Sequence, residues 1–399
     1  MTSHGVVVVG ASAAGLAAVE GLRRFGHGDR IVLVGDEPHL PYDRPPLSKQ
    51  LLSGEWDRDK LQLRTAAAYE ELDVELRLGT PAGSLDVAGH RVGLADGTFL
   101  DYDQVVVATG VRARTLPGTE GIGGVHVLRT LDDALALTTE LAARPRLVIV
   151  GGGFIGAEAA AVASGLGCDV VMVTDQRVPL ADAVGADIGG MLTEAHREHG
   201  VLMETEALVE AVVSDGVRAT GVKLADGRIL HADTVLIGIG ARPNVEWLEG
   251  SGLAVGNGVL CDTTLCAAPD VWAAGDVASW PDPVTGDRLR IEHRTNASEQ
   301  GLAVARNILA GPGKASAFTS VPYVWSDQYD MKIQIYGRTR GADPVRIVDG
   351  DLASRRFTAL FGREGRVTAA VGVNMVRPLR ALRPLVADRA DWASVPVAA

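Results

Sequence analysis

The chain has 399 residues, a formal net charge of −12 and a 47% hydrophobic composition. That length and apolar content suit two or three cored domains. The acidic balance excludes a general nucleic-acid binder, and the lack of a run of about 18 apolar residues excludes a membrane span. The N-terminus enters a valine-rich stretch without a basic region and cleavage site, which leads to the expectation of a cytoplasmic protein. Charge is uneven along the chain. From Met331 to Ala399 twelve Lys and Arg face six Asp and Glu, so the C-terminal part is a basic face on an acidic molecule, suited to an acidic partner or to plain solvation.

The first element is VVVVG from Val6, four valines that predict a buried parallel strand. Gly10 and Gly15 bracket a turn into an alanine-rich helix, with Ser12, Ala13 and Ala14 between them. Ser12 replaces the middle glycine of G-x-G-x-x-G, so the fingerprint is incomplete. A second strand, IVLVG, leads to Asp36, twenty-one residues after Gly15. That is the offset of an acid that binds a ribose hydroxyl. The helix start can hold a pyrophosphate on its backbone N–H groups. Next comes PYDRPPLSK, residues 41 to 49. Its two adjacent prolines, Pro45 and Pro46, predict a stiff loop with no helix.

VVVATG, ending in Ala108, Thr109 and Gly110, predicts a buried strand that returns the chain to another domain. LVIVGGGFIGAEAA then repeats the opening pattern, with Gly151, Gly153 and Gly156 in complete spacing and Phe154 and Ile155 opening the helix. Its second strand ends at Thr174 and Asp175. One glycine fingerprint is weak evidence. Two, each in strand–turn–helix context and each followed by an acid, predict two nucleotide sites for two different nucleotides. VLIGIGARPN carries Gly238 and Gly240 at a second return point, and VWAAGDVA sets Gly275 and Asp276 at a turn. Asp276 suits hydrogen bonds from a polyol or a helix N-cap. Asn296 and Glu299 read as a capping box. Arg377, Arg380 and Arg383 recur at a spacing of three, with Pro378 and Pro384 expected to keep any helix short.

Cys168, Cys261 and Cys266 form no disulfide framework and read as small buried hydrophobes. The nine histidines show no metal-ligand spacing, and His196 and His199 read as solvated groups at a polar helix end. No metal is expected.

In order, these motifs resemble the two-dinucleotide flavoprotein reductases of the glutathione reductase fold. PYDRPPLSK, WSDQY and VGVNM narrow the likeness to the NAD(P)H:ferredoxin reductases of bacterial oxygenase systems, the putidaredoxin reductase type. The resemblance covers nearly the whole chain. It implies an α/β fold with two Rossmann-like domains and a C-terminal α+β domain. It places an FAD domain at 1–113 and 241–317, an NAD(P)H domain at 114–240 and a C-terminal domain at 318–399.

The resemblance further implies FAD at Gly10, Ser12, Ala13, Ala14, Gly15, Asp36, Arg44, Pro45, Lys49, Ala82, Ala108, Thr109, Gly110, Arg129, Gly275, Asp276, Arg294, Thr295 and Trp325. It implies NAD at Gly151, Gly153, Phe154, Ile155, Gly156, Glu158, Thr174, Asp175, Gly238 and Gly240. Pro45 and Pro46 become an apolar wall for the flavin. Lys49 becomes a cation near its hydride-accepting atom, with Glu158 as its partner. By residue type alone Lys49 is a loop cation and Glu158 a first-turn acid.

Arg294 departs from the family, where Trp or Val is common. Thr174 stands where NADH-preferring relatives often have Glu. Asp175 favours NADH through the ribose 2′-hydroxyl, whereas Arg177 suits a 2′-phosphate. The expected function is electron transfer from NADH to a [2Fe–2S] ferredoxin that supplies a P450 or Rieske oxygenase, by a monomer or weak dimer. The alternatives are an NADH oxidase or peroxidase, or a redox-signalling flavoprotein like apoptosis-inducing factor.

Overall fold

The computed structural model describes residues 4–311 and 313–395, so the extreme ends of the expected domains lie outside the described residues. The chain divides into two compact units, one of residues 1–43, 59–112 and 242–320, the other of residues 44–58, 113–241 and 321–399.

The first unit is built on a six-stranded sheet. Its order is Cys266–Ala268, Val271–Ala273, Gln104–Val107, Val6–Val9, Ile31–Val34, Val74–Arg77. Val6–Val9 lies between two parallel neighbours, and all four valines are buried. A strand covered on both faces has no polar side to show, which is why the sequence reads as an unbroken apolar run. Two helices, Ala13–Arg24 and Arg294–Ala310, pack against each other. Gly301 permits this close approach, because a Cβ there would stand 2.2 Å from the carbonyl oxygen of Ala14. An antiparallel sheet of Ala82–Asp86, Arg91–Leu94 and Phe99–Asp101 adds to the same unit.

The second unit repeats the plan. Its five-stranded parallel sheet runs Leu202–Glu204, Asp169–Val173, Arg146–Val150, Thr234–Ile237, Val125–His126. The helix Phe154–Gly165 follows the central strand. Leu131–Leu141 opens on a capping box in which Thr130 and Asp133 satisfy each other's backbone N–H groups. The C-terminal part is a five-stranded antiparallel sheet ordered Tyr323–Gln328, Met331–Gly337, Arg366–Val373, Arg356–Arg363, Val345–Asp351, with the helix Val376–Ala387 packed on it.

Three local expectations are corrected. The N-cap of the Arg294–Ala310 helix is extended His293, three residues before the expected cap Asn296. Asn296 is fully buried inside it and donates to Ile291 O, while Glu299 accepts from the Ser320 hydroxyl. The Val376–Ala387 helix runs twelve residues, through Pro384. Pro378 sits in its first turn, where no N–H is needed, and buried Leu379 and Val386 anchor it. Finally, His196 is buried rather than solvated: its ring nitrogens bond Tyr329 and Gln328. His199 stacks on Tyr329 with ring centroids 3.7 Å apart.

Candidate functional site

Each unit carries one strand–turn–helix cradle. In the first, Gly10 has φ +125°, and a Cβ there would lie 2.1 Å from the Ala108 carbonyl oxygen. Glycine is required for both reasons. Ser12 is the extended N-cap of the helix that opens with Ala13, Ala14 and Gly15. Asp36, exposed just beyond Ile31–Val34, accepts the Glu37 N–H. Thr109 donates its hydroxyl to the Asn244 carbonyl, and Asn244 returns its amide to Thr109 O and its N–H to Gly110 O. These three bonds fix the turn after Gln104–Val107. Ala82 opens its strand at the unit's antiparallel sheet.

Gly275 and Asp276 form the one-turn helix Gly275–Val277, whose N-cap is Ala274. Asp276 is therefore not a cap. The Gly275 N–H donates to Gln300 Oε1 at 2.7 Å. The residue expected to stand apart from its relatives, Arg294, is held on both sides. Its guanidinium donates to Asp43 and to Ser298, each at 2.5 Å. Thr295 follows it in the helix. Arg294 and Ser298 line a cleft of about 300 Å³ with Ala13, Ala17, Arg24 and Arg64. The tie between Asp43 and Arg294 spans 251 positions, and nothing in the local sequence announces it.

In the second unit Gly151, at φ +117°, meets the Gly238 carbonyl as Gly10 meets Ala108. Gly153 differs: a Cβ there would touch nothing within 4 Å. That leaves open space at the helix start for a diphosphate, whose charge the N-terminal N–H groups favour. Phe154, exposed Ile155, Gly156 and Glu158 follow in the helix. Thr174 is buried against Gly152, and its hydroxyl accepts the Gln176 N–H. Asp175 and Arg177 are both exposed beyond the strand, as is Gly240 beyond its own.

The same unit takes the end of PYDRPPLSK. Pro45–Ser48 is a short 3₁₀ turn rather than a featureless loop. Arg44 donates to the Arg129 carbonyl, while the Arg129 N–H donates to Asp133. Lys49 Nζ lies 2.7 Å from Glu158 Oε2 and 3.0 Å from the Pro45 carbonyl oxygen. Side-chain exposure is 10% for Lys49 and 4% for Glu158. Two hydroxyls complete the carboxylate: Ser48 donates to Oε2 at 2.5 Å and Ser326 to Oε1 at 2.7 Å. A buried ion pair needs such further donors to offset its desolvation. Residue-by-residue reading missed both serines. Ser48 stood inside PYDRPPLSK and Ser326 inside WSDQY, but neither pattern shows that they meet. Trp325 stacks on Tyr323 in the same strand.

All three cysteines are free. Burial raises each thiol, Cys261 to about 12, which makes poor nucleophiles. Among the described residues no group of three or more His, Cys, Asp or Glu could hold a metal, and no helix is long and apolar enough to cross a membrane.

Comparison with known proteins gives the family. Residues 4–301 match the family model described as pyridine nucleotide-disulphide oxidoreductase, and residues 323–398 match a reductase C-terminal model. Rhodocoxin reductase of Rhodococcus erythropolis is 38% identical, covering 96% of this chain and 89% of its own. The ferredoxin–NAD(+) reductase component of an anthranilate 1,2-dioxygenase system of Burkholderia cepacia is also 38% identical, over 97% and 95%. The reductase of a covalent putidaredoxin reductase–putidaredoxin complex superposes with a TM-score of 0.91 at 34% identity, over 96% of this chain and 93% of that one.

Proposed function

The chain belongs to the pyridine nucleotide-disulphide oxidoreductase family, and we propose that within it the protein is an FAD-dependent NADH:ferredoxin reductase. FAD is assigned to the first fingerprint with Asp36, Ala82, Arg129, Asp276 and Trp325, and NADH to the second with Asp175. The division into an FAD domain (1–113, 241–317), an NAD(P)H domain (114–240) and a C-terminal domain (318–399) is part of this reading. So is a soluble, cytoplasmic setting.

The observation that carries it is the buried Lys49–Glu158 pair, in a chain whose early helix Ala13–Arg24, where a disulphide reductase would carry its thiol pair, has no cysteine. PPLSK offers a cation and a hydroxyl, and no cysteine. Electrons therefore leave to an external acceptor and not to a protein disulphide. The relatives' names pair them with a ferredoxin and an oxygenase. We extend this to a [2Fe–2S] ferredoxin that feeds a P450 or Rieske oxygenase.

FAD bound at the first fingerprint supplies hydride acceptance from NADH and one-electron release to the ferredoxin. The chain's own residues orient and stabilise. Lys49, ion-paired with Glu158, would offer its positive charge to the bound FAD. Asp175 holds the ribose of the incoming nucleotide. No side chain needs to move a proton.

The test is cytochrome c reduction by the purified, FAD-loaded protein with NADH, with and without a [2Fe–2S] ferredoxin encoded nearby. Rapid reduction that needs the ferredoxin is expected. Rapid oxygen consumption without it would favour the oxidase reading instead.

A further inference from the structure

In WSDQY the alternation of the strand turns Ser326 and Gln328 inward. Ser326 and Gln328 are fully buried, and His196 is 2% exposed. Their contacts form one continuous line from Glu158. Ser326 Oγ lies 2.7 Å from Glu158 Oε1. Gln328 Nε2 lies 3.1 Å from Ser326 Oγ. His196 Nε2 lies 3.1 Å from Gln328 Oε1, and His196 Nδ1 lies 2.8 Å from the Tyr329 hydroxyl.

The donors along this line can be worked out. A carboxylate only accepts, so the Ser326 O–H points to Glu158. Its lone pair then takes the Gln328 N–H. That leaves Gln328 Oε1 toward the imidazole, so His196 carries its proton on Nε2. His196 Nδ1 is then the acceptor for the Tyr329 O–H. Every bond donates in the direction of Glu158. Burial lowers the His196 pKa to about 4, so the ring stays neutral, in this one tautomer, through the neutral range.

We infer that Ser326, Gln328 and His196 are positioning residues for Glu158: a one-way hydrogen-bond chain that holds its carboxylate on Lys49. The inference rests on the reading of Lys49 and Glu158 given above. Its physical basis is cooperativity. In a low-dielectric interior each donor polarises the next, and the strand Tyr323–Gln328 makes the line rigid. Glu158 lies in the second turn of its helix, not in the first as expected, and a glutamate there has several rotamers. The Ser326 bond selects the one that leaves Oε2 for Lys49 and Ser48, so the ammonium is fixed and not merely attracted.

The experiment uses the FAD-loaded full chain and stopped-flow reduction of its flavin by NADH. Variants are Ser326→Ala, Ser326→Thr, Lys49→Met and the double variant Lys49→Met/Ser326→Ala. Ser326→Ala should lower the limiting reduction rate roughly tenfold, the lower end of what a hydrogen bond to a charged group contributes. NADH affinity and FAD content should hold, and Ser326→Thr should recover most of the rate. In the Lys49→Met background the same change should have less than about a twofold effect, since coupled groups are non-additive.

An unaltered rate in Ser326→Ala, or a full loss in both backgrounds, would overturn the inference. A wild-type rate in Lys49→Met alone would instead sink the reading of Lys49 on which it rests. Should Ser326→Ala fail to fold, Gln328→Met breaks the line one step further out. Its rate loss must likewise vanish without Lys49, whereas a loss that persists there overturns the proposal.

Discussion

At the scale of single residues the chemistry concentrates on one carboxylate with three donors. Glu158 receives Lys49, Ser48 and Ser326 in a buried setting. Lys49→Met should slow flavin reduction by NADH while FAD stays bound. Loss of one donor to a developing anion costs about 2.7–4 kcal/mol in a water-excluded oxyanion site. A flavin spreads its charge over a larger group, so the expected cost is below that range. Stopped-flow traces at saturating NADH measure it, and an unchanged rate would remove Lys49 from the mechanism. Nucleotide choice rests on a second residue. Asp175 and Arg177 are both exposed after the strand Asp169–Val173. The acid suits a free 2′-hydroxyl, and the guanidinium suits a phosphate. Asp175→Ala should lower kcat/KM for NADH and leave FAD content intact. FAD release instead would mean that the two nucleotides are assigned to the wrong fingerprints.

At the scale of elements, buried parallel strands were the most legible feature. VVVV, LVIV and VLI have no polar side to hide, and their glycine turns follow from backbone conformation and close approach. What stayed hidden depends on partners far along the chain. His196 looks like a polar helix end until Gln328 and Tyr329 arrive, more than 130 residues later. Asn296 looks like a cap until burial places it inside the helix. Pro384 looks like a stop, yet Leu379 and Val386 hold the Val376–Ala387 helix on its sheet. That correction strengthens the docking expectation. Arg377, Arg380 and Arg383 are exposed on this helix, and among the described residues none forms an ion pair. The double variant Arg380→Glu, Arg383→Glu should raise the KM for an acidic ferredoxin at low salt, with the difference fading as ionic strength rises. Ferricyanide reduction, which needs no docking, should be unaltered. A ferredoxin KM indifferent to both charge reversal and salt would move the docking face elsewhere, with Arg294 the next residue to test.

At the scale of the whole molecule, the buried histidines make acid stability the sharpest test. Burial lowers His126 of the second unit too, but the large shifts are those of His293 in the first unit and His196 in the second. Burial lowers both from 6.5 to about 4. The unfolded chain takes up these protons as pH falls through about 6.5, while the folded chain refuses them until about pH 4. Their stabilising contribution is therefore complete above pH 6.5 and is lost progressively between 6.5 and 4, on the order of a few kcal/mol for the pair at pH 4. The paired carboxylates act in a lower window. Asp233, held by Arg146, and Glu246, held by Arg112, are lowered to about 2. Both are largely exposed, so solvent screening makes their share small, and it fades only below about pH 4. The two windows separate the causes. With FAD saturating, Tm should already fall between pH 6.5 and 5, before the carboxylates titrate. His293→Asn should flatten that fall, because Asn has no proton to refuse. A Tm that stays level down to pH 4.5 and then drops would assign acid unfolding to the carboxylates and show that both histidines exchange protons freely in the folded chain.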